Sequence, residues 1–193
     1  ENGRVPVRIQ VDLPNGIRLA SLSTDTVYIY VDRSVTAEIE LDVELTDYVL
    51  TNDELSHMVD TNDEWITTRV GIKERRILKG EGTGSSDLGE KAVAELLRKT
   101  GVKPEEVDLL ICATSNPDYR FPSTASIVLE KLGIKTAYGY DIQAACAGFI
   151  VALQSGAAYI KSGLYKHVVV LAAEKMSSMV NYKDRSTCPL FGE

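Results

Sequence analysis

The stretch AYGYDIQAACAGFIVALQSGAAYIKSGLYKHVVVLAA, residues 137–173, decides the fold. It begins with AYGYDI and ends with HVVVLAA, two apolar runs that predict buried strands. Between them, AGFIVALQSGAAYIKSG predicts a largely apolar helix that ends at Gly163, because glycine accepts the left-handed backbone found at helix C-termini. A strand, a helix and a strand in this order predict a parallel sheet with helices packed on its faces.

The preceding residues extend the same alternation. VDLLICATS, residues 107–115, is a nearly continuous apolar run, typical of a strand covered on both sides. Ser123 is predicted to cap a helix that reaches Leu132, and one apolar face predicts another helix over residues 88–100. Residues 46–193 are therefore predicted to be an α/β unit with a mainly parallel β-α-β-α-β sheet.

Two copies of TNDE open shorter helices at the start of this unit. The copy at residues 51–54 predicts a helix that reaches Met58, and the copy at residues 61–64 predicts one that reaches Thr68 before Gly71 stops it. Either the threonine or the asparagine of each copy is a suitable N-cap. We interpret the repeat as two similar caps and not as a duplicated module.

Residues 1–45 differ from the rest of the chain in their pattern of apolar and polar residues. VPVRIQVDLP, DTVYIYVD and VTAEIELDVEL alternate apolar with polar residues, which predicts three short strands joined by turns. Two domains are therefore expected: a β-rich segment at 1–45, interpreted as a foreign or fused module, and the α/β unit at 46–193.

Composition excludes several classes of partner. Of the 193 residues, 44% are hydrophobic, and the net charge is -7. A negative net charge gives no positive potential that would attract nucleic acid or an anionic membrane. No apolar run reaches the roughly 18 residues of a spanning helix, and the N-terminus lacks a signal-peptide pattern. Three cysteines without metal-ligand spacing indicate no metal site and a reducing environment. A cytoplasmic protein is expected.

Cys146 lies where the predicted strand turns into the predicted helix. In an open α/β sheet, this edge is where ligands bind, and a helix N-terminus stabilises a thiolate. The small residues of AACAG leave room for a substrate near the sulfur. From this context alone, a nucleophile and a small packing residue are both open interpretations, since free cysteines are often buried. Cys112 and Cys188 are predicted to be packing residues.

Four motifs resemble those of a known enzyme family. The chain from about Val49 to Glu193 is similar to the N-terminal half of a β-ketoacyl-acyl-carrier-protein synthase III, a member of the thiolase superfamily. The motifs stand in the family's order: VLTNDELSHMVDTNDEWITTRVGIKERRI, ATSNPDYRFPS, DIQAACAGF and DRSTCPLFG.

The resemblance implies an acyltransferase that initiates fatty acid biosynthesis. Cys146 would take the acyl group of acyl-CoA as a thioester and pass it to malonyl-acyl-carrier protein with loss of carbon dioxide. It implies no permanently bound cofactor, with acyl-CoA as substrate, and a homodimer.

The resemblance also implies roles for five further residues. Trp65 would stack on the adenine of coenzyme A, Arg69 would meet a phosphate, and Arg185 would lie at the adenine. Thr61 would hydrogen-bond the nucleotide. Phe121 would reach across the dimer to the acyl pocket of the partner subunit. The alternatives are a core tryptophan, solvated arginines and a phenylalanine that anchors its loop.

Departures from the family leave other functions open. The family mechanism needs a histidine and an asparagine from the second half of its fold, whereas this chain has only His57 and His167, both interpreted as structural. The chain is expected to be truncated after FGE, and residues 1–45 weakly resemble a YbbR-like β domain. The alternatives are a non-catalytic fusion or binding fragment and another condensing enzyme of the thiolase superfamily.

Overall fold

A computed structural model describes Thr46 and residues 48–193, so the strands predicted for residues 1–45 lie outside the described residues. This part of the chain contains five β-strands and five α-helices, besides short 3-10 turns. These are β1 Tyr48–Thr51, α1 Asn52–Ser56, α2 Asp63–Val70, β2 Glu74–Ile77, α3 Ser85–Thr100, β3 Leu109–Ala113, α4 Thr124–Lys131, β4 Tyr138–Ile142, α5 Gly148–Ser162 and β5 Val168–Ala172.

The larger sheet has three parallel strands in the order β4-β3-β5. Its central register places Ile111 of β3 opposite Tyr140 of β4 and Val170 of β5. All five residues of β3 are buried, which is the burial expected of a strand covered on both faces. The predicted β-α-β-α-β order and the α/β fold class are confirmed.

Two apolar clusters cover the two faces of this sheet. Side chains alternate along a strand, so Leu110 and Cys112 face α3 and α4, whereas Leu109, Ile111 and Ala113 face α5. The helices supply the complementary apolar faces that their periodicity predicted.

The prediction that β4 is a buried strand is wrong. β4 pairs only with β3 among the described strands, and its Tyr138 is 70% exposed. The largely apolar helix α5 is also only partly buried: it packs on the sheet, but its Ile150 is 49% exposed. Apolar composition predicted burial here, but position at the edge of the layer decided exposure.

A small antiparallel sheet of β1 and β2 was not predicted. Val49 pairs with Arg76 and Leu50 with Arg75, and both strands have only four residues. The pattern ERRI of β2 is charged, so it lacks the alternation that marks a strand. A third apolar cluster joins this sheet to α1, α2 and the C-terminal segment, and its buried members are Leu50, Leu55, Ile66, Ile77 and Cys188.

Hydrogen bonds at the caps set the helix ends. Thr51 Oγ1 accepts from Glu54 N at 3.1 Å in the first TNDE, whereas Asn62 Oδ1 accepts from Trp65 N at 2.8 Å in the second. α2 runs two residues past the predicted Thr68 before Gly71 adopts a φ of 75°. α3 begins at Ser85, three residues before the prediction, because carboxylates supply the caps that a glycine N-cap lacks.

Candidate active site

Cys146 lies in a 3-10 turn, Ala145–Ala147, between the C-terminal end of β4 and the first residue of α5. Its side chain is exposed, so the sequence-predicted position at a helix N-terminus is also an accessible one. Ala145 has a φ of 44°, a left-handed conformation that is strained for a residue with a Cβ. A Cβ at Gly148 would lie 3.1 Å from Ala113 Cβ, so the turn sits directly against the end of β3.

The two other cysteines, Cys112 and Cys188, are buried, and their thiols have raised pKa values. Burial raises the pKa of the Cys112 thiol well above its ordinary value, and burial also raises the pKa of the Cys188 thiol. A raised pKa leaves less thiolate at neutral pH, and the thiolate is the reactive form. The prediction that both are packing residues is confirmed by their place in the apolar clusters.

Glu174 ties together the C-terminal ends of β3 and β5. Its carboxylate accepts from Ser115 N at 2.6 Å, from Asn116 N at 2.9 Å and from Thr114 Oγ1 at 3.1 Å. Asn116 Nδ2 in turn donates to Lys175 O at 2.6 Å. These bonds fix the start of the loop that follows β3, at the same sheet edge as Cys146.

Phe121 projects from this loop with 89% of its side chain exposed. The alternative that it anchors the loop by packing is therefore wrong. The end of the loop is held by α4, whose first N–H groups at Thr124 and Ala125 donate to the Asp141 carboxylate at 2.7 and 2.9 Å. A large apolar side chain on a fixed loop is available to another surface.

Trp65, Arg69 and Arg185 come together in one cluster, which we call the indole cluster. The guanidinium carbon of Arg69 lies 4.3 Å from the centroid of the Trp65 rings, and that of Arg185 lies 4.9 Å from it. Trp65 is half-buried and packs against the third apolar cluster. Both arginines are exposed, yet each guanidinium also contacts the aromatic surface of Trp65, so the three side chains form one cation–π cluster.

Thr61 adjoins the indole cluster along the chain. Its Oγ1 is buried and has no hydrogen-bond partner among the described residues. On one side of it, Asp60 accepts from Arg185 Nη1 through its backbone oxygen at 3.2 Å and pairs with the same atom through its carboxylate at 3.5 Å. A buried hydroxyl without a partner among the described residues has its hydrogen-bonding capacity unused there.

Neither histidine lies with Cys146 at the end of β4. His167 directly precedes β5 and therefore lies at the N-terminal ends of the parallel strands, opposite to Cys146. Its Nδ1 lies 3.0 Å from Glu106 O. His57 is exposed and follows α1 as its C-cap. The described residues contain no group of three histidine, cysteine or acidic side chains that could hold a metal. None of the helices between residues 48 and 193 is long and apolar enough to cross a bilayer.

Sequence reasoning missed two buried polar residues near the indole cluster. Arg75 on β2 is 5% exposed and Asn52 at the start of α1 is 2% exposed. Nothing in ERRI or TNDE marks them, because their partners are distant in the chain. Glu174 was also missed, although its place two residues after a parallel strand was an available signal.

Comparison with known proteins gives matches over most of the described chain. The family model of 3-oxoacyl-[acyl-carrier-protein] synthase III matches residues 140–193. Beta-ketoacyl-[acyl-carrier-protein] synthase III 2 of Bacteroides thetaiotaomicron is 58% identical over 147 residues, which are 76% of this chain and 44% of that protein. The chain thus spans less than half the length of this curated relative.

Solved structures agree with the sequence matches. The 3-oxoacyl-[acyl-carrier-protein] synthase III of Aquifex aeolicus has a TM-score of 0.74 at 52% identity and covers 77% of this chain and 47% of its own. The priming beta-ketosynthase of the R1128 polyketide biosynthetic pathway has a TM-score of 0.73 at 36% identity, covering 77% of this chain and 44% of its own. In sequence and in fold, the chain from about residue 46 to residue 193 is similar to the N-terminal half of a β-ketoacyl-[acyl-carrier-protein] synthase III, and it has a thiolase-like α/β fold.

Proposed function

We propose that this chain carries the acyl-accepting half of an acyltransferase that initiates fatty acid biosynthesis. The observation that supports it most is the exposed Cys146 in a strained turn before α5, within the DIQAACAGF motif. Its thiolate would attack the thioester carbon of acyl-CoA, forming an enzyme thioester and releasing coenzyme A as a thiol. Transfer to malonyl-acyl-carrier protein with loss of carbon dioxide would then form the new carbon–carbon bond.

The indole cluster is the proposed site for the nucleotide end of coenzyme A. A half-buried indole supplies a flat apolar surface for adenine, and Arg69 and Arg185 supply cations for phosphate groups. The unpartnered Thr61 hydroxyl would bond the same ligand. No permanently bound cofactor is part of this proposal, since acyl-CoA is consumed as substrate.

Replacement of Trp65 by alanine is expected to weaken coenzyme A binding about 10- to 100-fold, since stacking of a base on an aromatic ring contributes about 1–3 kcal/mol. Trp65→Phe retains an aromatic surface and should lose less. Titration calorimetry with coenzyme A and with pantetheine, which has no adenine, measures both effects. An equal loss of affinity for pantetheine would contradict the assignment of Trp65 to the adenine.

A homodimer in the cytoplasm is the proposed working state of the protein that contains this chain. The exposed Phe121 and the outer edge of β4, which pairs with no second strand among the described residues, are surfaces that a second subunit would cover. Phe121 would then line the acyl pocket of the partner subunit.

Replacement of Phe121 by aspartate is expected to shift the chain from dimer to monomer, because a buried carboxylate at the interface has no partner. Leu164→Asp is the matched control, since Leu164 is 62% exposed and precedes β5 at the opposite sheet edge. Sedimentation velocity over a range of concentrations measures the change. A monomeric wild-type chain, or equal effects of the two substitutions, would contradict the role of Phe121.

Two other functions fit part of the geometry. The likeness to the priming beta-ketosynthase supports another condensing enzyme of the same fold, which would accept a different acyl-CoA. A non-catalytic binding fragment is supported by the absence of histidine beside Cys146. Such a fragment would bind coenzyme A through the indole cluster without acylation of Cys146.

A further inference from the structure

Arg75 is a buried cation without a carboxylate partner. It is 5% exposed, and no acidic side chain among residues 46 and 48–193 lies within ion-pair distance of its guanidinium group. Burial lowers the pKa of this group from its ordinary value. Burying a charge without a counter-charge is unfavourable, so the hydrogen bonds that it makes carry its stabilisation.

Those hydrogen bonds reach three acceptors in two segments of the chain. Arg75 Nη1 donates to Leu50 O of β1 at 3.1 Å, and Nη2 donates to Asn52 Oδ1 at 2.8 Å and to Pro189 O at 3.0 Å. Asn52 Nδ2 then donates to Asp63 Oδ1 at 2.8 Å, at the first residue of α2. The guanidinium therefore bridges the start of α2 and the C-terminal segment.

The C-terminal segment around Pro189 is a compact turn, which we call the 184–190 turn. Cys188 N donates to Asp184 O at 3.0 Å and Leu190 N donates to Thr187 O at 3.0 Å. Pro189 is fully buried, and the hydrogen bonds within the turn connect it to the part that carries Arg185. Arg185 projects from this turn onto Trp65.

We propose that Arg75 is a positioning residue that holds the 184–190 turn against α2, so that the Arg185 side chain lies over Trp65. The planar guanidinium has its donors in a fixed fork, which suits simultaneous bonds to the Asn52 side chain and the Pro189 carbonyl. The consequence for coenzyme A affinity rests on the proposed function, whereas the geometry of the indole cluster does not.

Trp65 is the single tryptophan of the chain, so its fluorescence reports on the indole cluster directly. Arg75→Met is expected to increase acrylamide quenching of Trp65 and to raise the dissociation constant for coenzyme A about tenfold, the effect of losing a charged hydrogen bond. The matched control is Arg76→Met on the same strand, which should change neither quantity. In an Arg185→Ala background, Arg75→Met should change quenching much less, because the positioned side chain is already gone.

Circular dichroism and thermal melting establish whether each variant is folded. If Arg75→Met does not fold, Arg75→Lys decides, since it keeps the charge but cannot reproduce the fork and should raise quenching by a smaller amount. A folded Arg75 variant with wild-type quenching, or an equal effect in the Arg185→Ala background, would overturn the positioning role. A wild-type chain that binds no coenzyme A would overturn the proposed function alone, because quenching still tests Arg75.

Discussion

An acetyl adduct is expected on this chain after incubation with acetyl-CoA, and it should disappear when Cys146 is replaced by serine. Cys146 is exposed beside a helix N-terminus, whereas Cys112 and Cys188 are fully buried. Burial raises the pKa of both buried thiols, so at neutral pH they hold less thiolate than an ordinary cysteine does. Mass spectrometry of the intact chain and of its peptides, after incubation with acetyl-CoA, locates the adduct.

Iodoacetamide gives an independent measure of the same thiols. Cys146 should be alkylated at least about 100-fold faster than the other two cysteines, because their exposure requires local opening that costs a few kcal/mol. Cys112→Ser is the matched control and should leave both the adduct and the fast alkylation unchanged. Labelling confined to Cys112 or Cys188 would contradict the assignment of Cys146.

Condensation should remain undetectable when malonyl-acyl-carrier protein is then added to this chain. The carbanion left by decarboxylation and the oxyanion need hydrogen-bond donors, and loss of one such donor costs about 10²- to 10³-fold in rate. The resemblance implies that a histidine and an asparagine supply these donors, but His167 lies at the N-terminal ends of the parallel strands, away from Cys146, and His57 caps α1. Sustained formation of a ketoacyl product would show that the chain contains other donors.

Replacement of Leu110 by alanine is expected to lower the free energy of unfolding by about 3 kcal/mol. Leu110 is 0% exposed at the centre of β3, and it packs in the cluster between the sheet and the helices α3 and α4. Removal of its side chain leaves a cavity that neighbours on a central strand cannot close. For a unit of this size the melting temperature should fall by about 10 °C.

Leu164→Ala is the control for this substitution, because it removes the same atoms from a side chain that is 62% exposed. Its effect on the unfolding free energy should be within about 0.5 kcal/mol. Urea titration followed by circular dichroism compares the two variants. Similar losses in both would mean that β3 is not the buried centre of the sheet.

Local signals predicted the helices and the parallel strands well. Thr51 and Asn62 cap their helices through contacts three residues away, and Gly101 and Gly163 end theirs with left-handed backbones. Such features depend on neighbours in the chain, so they are readable without a fold. β2 was not predicted, because its four residues include two arginines and show no periodic pattern. Its partner β1 is also separated from it in the chain by α1 and α2.

The candidate site also has features that the sequence predicted and features that only the structure shows. The motif placed Cys146 between a strand and a helix, but only the structure shows the strained Ala145 and the close approach of Gly148 to Ala113. Trp65 and Arg69 are one helical turn apart, so their contact follows from the sequence spacing.

The sequence by itself determined the order of the helices and parallel strands, the caps and the strand-to-helix position of Cys146, because each depends on periodicity and near neighbours. Tertiary structure alone decided that β4 is the outer strand of the described parallel sheet, that Arg185 covers Trp65, and that Arg75 contacts Pro189 across 114 residues. Contacts between distant segments depend on how the elements pack, and no local pattern of residues encodes which elements become neighbours.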